Sequence, residues 1–418
     1  MNGRFDGSSQ TCNDMGESLL RLEDVEVRRG LGVVVSKFNL EVNSGDVVVL
    51  HGENGSGKST VLETSARLIP LEKGRVYHHG KLVNDSEGRR KLPPLPFGLT
   101  LQQNGLVGDE TVENHLVTVC SLSGKKVNLT GLLSAYGLEH RRHDRIGHLS
   151  GGQARKVAVL AGLLPALISP EPRLVLLDEP ASGLDDDAVN SLIVHIGQLR
   201  QAGHGFVIAS HHSKICECAT RLHNLKSEKS QSPAEHEAWS PTATEHITTM
   251  ISTKVGIRYL RSTQAAVARN GLTALLVLGT LMGFVDISSI DSRTLLVGFV
   301  LSAPFAAGLA GDPVLHIMRE GRAVDWWRAH VNRLPSAEIH ALVLGTIFTT
   351  IGCVVFLEGI DWRMVIIGTF MLWITMNCVR FLELSTLRLV RPNAVFLRLL
   401  LPILILPWAL ITDYAATL

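Results

Sequence analysis

The sequence has no surplus of charge of one sign: 40 Lys and Arg stand against 39 Asp and Glu in 418 residues, a formal net charge of +1. A strongly basic nucleic-acid binder and an acidic disordered chain both depend on such a surplus, so neither class fits, and no nucleic-acid partner is expected. It also has few cysteines. The six are scattered, only Cys216 and Cys218 lie close together, and no paired CxxC sets occur. That excludes a disulfide framework or structural zinc site and fits a reducing compartment. The spacing of Cys216 and Cys218 from His211, His212 and His223 matches no closed zinc site, so these thiols are expected to pack a helix. The first twenty residues hold no apolar core of signal-peptide length, which places the first large domain on the cytoplasmic side. No lysine follows Lys254.

What is present divides in two. The averages, 45% hydrophobic, 19% charged and a mean hydropathy of +0.20, describe neither a soluble enzyme nor a pure membrane protein. From Met250 onward 24 of 169 residues are charged, against 55 of the first 249. The average is a blend of two regions, in a chain long enough for two or three domains.

In the first region, alternating apolar residues in LLRLEDVEVRR and the run VVVSKFNLEVNSGDVVVLHG predict strands, with a helical pattern from Lys58. Buried-strand runs recur at Arg173 to Pro180 and Gly205 to His212, with helical stretches between. Strands alternating with helices predict an α/β fold around a mostly parallel sheet covered on both faces. Between the first strands and the helix, Gly52, Glu53, Asn54, Gly55, Ser56, Gly57, Lys58, Ser59 and Thr60 form a P-loop, GxxxxGK(S/T). The glycines let consecutive amides turn toward phosphate oxygens, and the helix N-terminus adds its positive end. Lys58 is expected to reach the β- and γ-phosphates and Ser59 to bind Mg²⁺. Asp178 and Glu179 end the apolar strand from Leu174, where one carboxylate suits metal coordination and the next can act as general base.

Leu149, Ser150, Gly151, Gly152 and Gln153 spell LSGGQ upstream of that strand, and the ordered set resembles the ATP-binding cassette (ABC) ATPases. Ser182 to Asp185 is similar to their D-loop, and His211 to their switch histidine. The resemblance covers roughly Ser18 to Leu225. It implies a P-loop NTPase that binds ATP and Mg²⁺ and hydrolyses ATP between two cassettes. Ser150, Gly151 and Gly152 would contact the γ-phosphate held on the other protomer, with Gln153 in the same nucleotide-binding signature; Glu179 would be the catalytic base, His211 would touch the γ-phosphate, and Asp185 would connect the sites. With one cassette per chain, it implies a homodimer or a heterodimer with a related half-transporter. Two features depart from the family. Gln102 and Gln103 are adjacent, so either can be its catalytic and metal-binding glutamine, with Gln103 preferred; and arginines, Arg28 and Arg29, replace the aromatic residue that stacks on adenine. These arginines, the Ser150-Gly151 pair and the compact cassette resemble the ATPase of the cytochrome-c maturation haem exporter.

The Ser-, Thr-, Glu- and Pro-rich stretch from Ser227 to Thr249 reads as a linker. The expected organisation is therefore a disordered start (1–17), a cassette (18–226), a linker (227–249) and an all-α polytopic membrane domain (250–418). That domain is expected to cross lipid about five times, at 271–288, 294–311, 339–357, 364–381 and 399–416, since a bilayer span takes about 20 mainly apolar residues. Arg319, Arg322, Arg328 and Arg333 share the second loop and Arg380, Arg388, Arg391 and Arg398 the fourth, whereas the first and third hold one arginine each. The positive-inside rule then puts the second and fourth loops beside a cytoplasmic cassette and the C-terminus outside. The loop from Arg319 to Glu338 is similar to the cytoplasmic loop of type-2 ABC exporters and is expected to dock beside Gln102 and Gln103. Arg258, Tyr259 and Arg261 are expected in an interfacial helix. No acid or lysine lies deep in an expected span, which argues against a proton relay. The functional expectation is an ABC half-transporter exporting an unnamed substrate from a cell membrane. The alternative is a membrane-tethered ATPase passing force or a signal to a partner.

Overall fold

The computed structural model describes residues 18–30, 32–53, 55–224, 227–241, 245–246, 259–319, 322–332, 334–386 and 401–417. The expected disordered start, Asn54, Lys254, Arg258, Glu320, Gly321, Arg333, Arg388, Arg391 and Arg398 lie outside the described residues, as does the side chain of Arg261. The chain forms two compact units. The first comprises the residues up to Leu106, Thr111–Thr249 and Asp325–Asn332; the second comprises Val107–Glu110, Met250–Val324 and Arg333–Leu418.

The strands of the first unit are, in chain order, β1 (Ser18–Arg29), β2 (Gly32–Asn43), β3 (Val47–Leu50), β4 (Lys73–His78), β5 (Lys81–Asp85), β6 (Gly98–Thr100), β7 (Lys125–Lys126), β8 (Leu174–Asp178), β9 (Gly205–Ala209), β10 (Arg221–Asn224), β11 (Ser227–Ser230) and β12 (Glu245–His246). Its main helices are α1 (Lys58–Ser65), α2 (Val112–Leu122), α3 (Thr130–Ala135), α4 (Gly151–Leu167), α5 (Asp186–Gln201) and α6 (Ser213–Glu217). β1 buries Leu20 and Leu22 and, after a register shift, Val25 and Val27, in an antiparallel sheet of order β2-β1-β4-β5. The central sheet runs β11-β10-β3-β9-β8-β6 and is parallel from β10 to β6. Every residue of β3, β8 and β9 is buried, as strands covered on both faces require. Helix α4 lies so close to the sheet that a Cβ on Gly98 would sit 2.0 Å from the Gly162 carbonyl oxygen, so both positions demand glycine.

The stretch read as a linker is instead built into this unit over its described part. β11 pairs antiparallel with β10, the indole nitrogen of Trp239 donates to Leu167 O at 2.9 Å, and β12 pairs with β7. Few apolar residues were needed: backbone pairing and one tryptophan anchor a segment whose composition resembles a tether.

The second unit holds α7 (Tyr259–Ala266), a π-helical turn (Val267–Gly271), α8 (Leu272–Phe284), α9 (Arg293–Leu309), α10 (Pro313–Arg319), the start of α11 (Ala323–His330), α12 (Glu338–Phe356), α13 (Trp362–Thr386) and α14 (Ile405–Thr417). Four helical stretches among the described residues are long and apolar enough to cross a membrane: Thr263–Phe284, Arg293–Arg319, Glu338–Phe356 and Trp362–Ser385. The first begins eight residues before its expected start. The last expected span, 399–416, appears from Leu401 as a 3-10 turn followed by the 13 residues of α14. Such a helix rises about 20 Å, short of a hydrocarbon core about 30 Å thick. Pro402 lies in the 3-10 turn, and Pro407 sits in the first turn of α14, where a missing amide costs no intrahelical bond.

Small residues pack these helices closely: Gly345 against Thr369, Gly368 against Thr349 and Gly308 against Thr375. Thr349, Thr350 and Asn377 bond carbonyls one turn back on their own helices. Asp312, at the break between α9 and α10, is buried and ion-paired with Arg380. Outward, Ile339, Val343, Ile347 and Ile351 on α12 and Ile366, Phe370 and Ile374 on α13 are exposed at four-residue spacing, forming apolar stripes.

Candidate functional site

The phosphate loop leaves β3 at Leu50 and enters α1 at Lys58. Gly52, Gly55 and Gly57 have φ of 144°, 84° and 103°, values that a Cβ would strain, which is why glycine stands there. The ammonium of Lys58, 7% exposed, donates to Gly52 O at 2.7 Å and Glu53 O at 2.9 Å. Among the described residues, none is a hydrogen-bond partner of the buried Ser56 Oγ. A cradle holding a folded-back cation and an orphaned hydroxyl at a helix N-terminus fits a phosphate chain, whose oxygens satisfy both.

β8 is the neighbour of β6 and β9, and this order brings the remaining groups to the same sheet edge. Asp178 Oδ1 accepts from Ser59 Oγ at 3.0 Å, joining the hydroxyl and carboxylate expected to share a metal. Burial pushes the Asp178 carboxyl up to about 6, against the hydrogen bond from Ser59, while nearby Glu63 and Glu179 raise it further. Glu179 follows in left-handed conformation, φ 47°, with its amide bonded to Ala209 O at 2.8 Å. A non-glycine residue held there is strained by about 1–3 kcal/mol, a feature concentrated at functional sites. Its Oε1 lies 3.0 Å from Nδ1 of the exposed His211, which follows β9. Thr100 pairs with Leu177, so Gln102 and Gln103 lie in the turn just beyond β6, both exposed.

Ser150 caps α4 in a reciprocal box with Gln153: the Gln153 amide donates to Ser150 Oγ at 3.2 Å, and the Ser150 amide to Gln153 Oε1 at 3.1 Å. Ser150 and Gly151 are exposed. Gly152 packs on the turn before α5, where a Cβ would come 2.8 Å from Gly183 O. Asp185 caps α5 through the Ala188 amide and accepts from Lys156 Nζ at 2.6 Å, which holds its carboxyl below the usual range.

One residue the sequence reading passed over connects these parts. Arg155, buried on α4, donates to Leu101 O at 2.7 Å, Asn104 Oδ1 at 2.9 Å, Glu179 O at 2.8 Å and Asp178 O. A single guanidinium therefore fixes the turn bearing Gln102 and Gln103 to the strand end bearing both acids. The available signal was an arginine on a helix face otherwise occupied by Val, Ala and Leu.

The segment Asp325–Asn332 belongs to this unit and packs beside that turn. Trp326 is 2% exposed, touches Gly105 and donates from its indole to Leu99 O at 3.3 Å. His330 stacks on Phe97 at 4.9 Å between centroids, and Arg67 Nη2 donates to Arg328 O at 2.8 Å. Cys216 and Cys218 are free, half-buried thiols, with Cys216 Sγ 3.9 Å from His51.

Residues 35–182 match the family model for ABC transporters. The chain is similar to the macrolide export ATP-binding/permease protein MacB of Pectobacterium atrosepticum, with 28% identity over 296 residues, 66% of this chain and 45% of that protein. It is also similar to the lipoprotein-releasing system ATP-binding protein LolD of Hyphomonas neptunium, with 29% identity over 205 residues, 47% of this chain and 87% of that protein. The chain thus spans less than half the length of the MacB relative. The solved ATP-binding subunit of an ABC transporter covers 51% of this chain at 24% identity, with a TM-score of 0.43.

Proposed function

Residues 35–182 belong to the ABC transporter family, and from that premise we propose that the chain is an ATP-driven half-transporter. It works as a dimer, with a second copy or a related subunit, and exports its substrate from the cytoplasmic side of a membrane. The observation that carries this reading is the meeting of two pairs, Ser59 with Asp178 and Glu179 with His211, at the edge of the sheet that also carries the phosphate loop.

In this reading Lys58 exchanges its carbonyl partners for β- and γ-phosphate oxygens, and Ser56 and the loop amides complete the cradle. Ser59, Asp178 and Gln103 or Gln102 would hold Mg²⁺, which when bound neutralises developing charge on the phosphates. Glu179 accepts the proton of the attacking water, and His211 moves from Glu179 to the γ-phosphate. Ser150, Gly151, Gly152 and Gln153 lie at the N-terminus of α4, whose positive end favours an anion; that anion is the γ-phosphate of the other protomer. Export is supported by the four candidate spans and by the similarity to a protein named as an exporter.

ATP-dependent uptake into inverted vesicles tests this, with macrolides, haem and lipid analogues as the panel. Accumulation by the wild type and none by Glu179→Gln is expected. Hydrolysis without accumulation of anything would support a force-transmitting ATPase instead.

A further inference from the structure

Three arginines of the first unit meet without a counter-ion. Arg67 follows α1 in left-handed conformation, φ 55°, and is 6% exposed. Its Nη2 donates to Arg328 O at 2.8 Å, which sets the segment Asp325–Asn332 against the end of α1. Arg90 bridges to Asn84 of β5, and the Asn84 amide donates to Ile69 O at 3.0 Å, so Arg90 is tied to the same turn. Burial pushes Arg67 down to about 10, with repulsion from Arg90 and then Arg328 adding to it; burial lowers Arg90 too, and Arg328 again adds. Burial also lowers Arg328, against the opposite pull of Asp325 one turn earlier. Among the described residues no carboxylate lies within ion-pair distance of any of the three, and Arg67 Nε and Arg328 Nη1 are buried with no acceptor. Other arginines with a buried, unused nitrogen do have such a partner: Arg141 pairs with Asp144, Arg142 with Glu113, Arg173 with Glu171 and Arg221 with Asp46.

A guanidinium cannot shed its proton to escape burial. Neighbouring cations under cover therefore cost free energy until an anion neutralises them, and their unused N–H groups are the donors that anion would take. A carboxylate has two oxygens, which one guanidinium fork satisfies, whereas a phosphate group has three and carries nearly two charges. Three forks with spare buried donors match the phosphate, and the half-buried Arg90 and Arg328 leave one side open to it. We propose that Arg67, Arg90 and Arg328 form a second phosphate site, for inorganic phosphate or the phosphomonoester headgroup of an anionic lipid. A chain with four candidate membrane spans would meet both sources. The site lies at the far end of α1 from Lys58, about 12 Å along the helix, and stands whether or not the P-loop binds nucleotide.

The test uses the full chain carrying K58A, which weakens phosphate at the P-loop, in phosphatidylcholine nanodiscs. Equilibrium dialysis with radiolabelled inorganic phosphate should show one saturable site per chain. R90Q and R328Q, each added to K58A, should weaken it by about tenfold or more, the loss of a charge-assisted contact. R89Q removes the neighbouring arginine, which is paired with Asp85 and Glu87, and should leave binding unchanged. Thermal unfolding checks the site without these variants: the K58A midpoint should rise with phosphate and level off, as binding to the folded state requires, whereas general salt stabilisation keeps climbing. Phosphatidic acid in the discs that displaces the labelled phosphate makes a lipid headgroup the occupant; discs that leave it bound make it the free ion. Phosphate that binds without saturation, a midpoint that never levels off, or R90Q and R328Q proteins that bind phosphate as R89Q does, each overturns the proposal.

Discussion

Burial sets the working range of Asp178. A carboxyl raised from its ordinary value to about 6 favours the protonated form in the folded state, so its contribution to stability is fully present below the unfolded value near 4 and is lost as pH rises through 6. In the proposed mechanism the chemistry would run the other way, because only the carboxylate could hold Mg²⁺. The Mg²⁺ concentration giving half-maximal ATPase should rise about tenfold per pH unit below 6, and Asp178→Asn should abolish that dependence along with most activity. Steady-state hydrolysis across pH 5 to 8 at graded Mg²⁺ checks both. Arg155 acts through the backbone it holds. Replacing it with alanine strands two buried and two part-buried acceptors and should cost about 3 kcal/mol or more in urea unfolding. Arg155→Lys should recover part of that stability but little turnover, since one ammonium cannot span the carbonyls of Leu101 and Glu179. The acids, the P-loop and the LSGGQ turn could be proposed from the sequence because short motifs encode their chemistry locally. Arg155 could not, because its role depends on β6 and β8 becoming neighbours, which spacing along the chain does not reveal.

Among the elements, the segment Asp325–Asn332 concentrates aromatic and imidazole groups in a buried patch. Burial pushes His330 and His115 each down to about 4; Arg67 adds to the effect at His330, and His330 in turn lowers His115. Histidines depressed in the folded state contribute stability that is fully present above the unfolded value near 6.5 and is lost as pH falls toward 4. Thermal unfolding should therefore shift to lower temperature between pH 6.5 and 4, and His330→Gln should flatten that slope. Trp326→Ala removes the largest buried side chain of the segment and should cost about 3–5 kcal/mol, with ATPase activity no longer responding to transported substrate. The expectation that the loop from Arg319 to Glu338 docks beside Gln102 and Gln103 came from its resemblance to the type-2 exporter loop; within the first unit, Trp326 of that stretch lies against Gly105, two residues beyond Gln103. The linker was misread for a physical reason: edge-strand pairing at Ser227–Ser230 uses backbone groups, which composition does not report. The first span was set late because the polar Arg269 and Asn270 interrupt the apolar run; both satisfy carbonyls at the end of α9, so the helix continues through them.

At the scale of the whole molecule, charge and hydropathy differ between the α/β unit and the helical one, and the two compact units divide almost where the composition changes. What the composition left out is that the first unit includes Asp325–Asn332 and the second Val107–Glu110. The apolar stripes on α12 and α13 require lipid or another copy to cover them. The exposed Ser150 and Gly151, set on a helix N-terminus, require a phosphate from elsewhere if they are to act. Both features lead to the central claim, that one ATP site is completed by two chains. The most direct measurement mixes two inactive full-length variants in lipid: K58A, which cannot hold phosphate, and Gly151→Asp, which repels it from the signature turn. Half of the dimers should be mixed and each should hold one intact site, so hydrolysis should return to about a quarter of the wild-type rate. Mixed dimers that form, shown by crosslinking, and yet hydrolyse no more ATP than either variant alone would contradict the account.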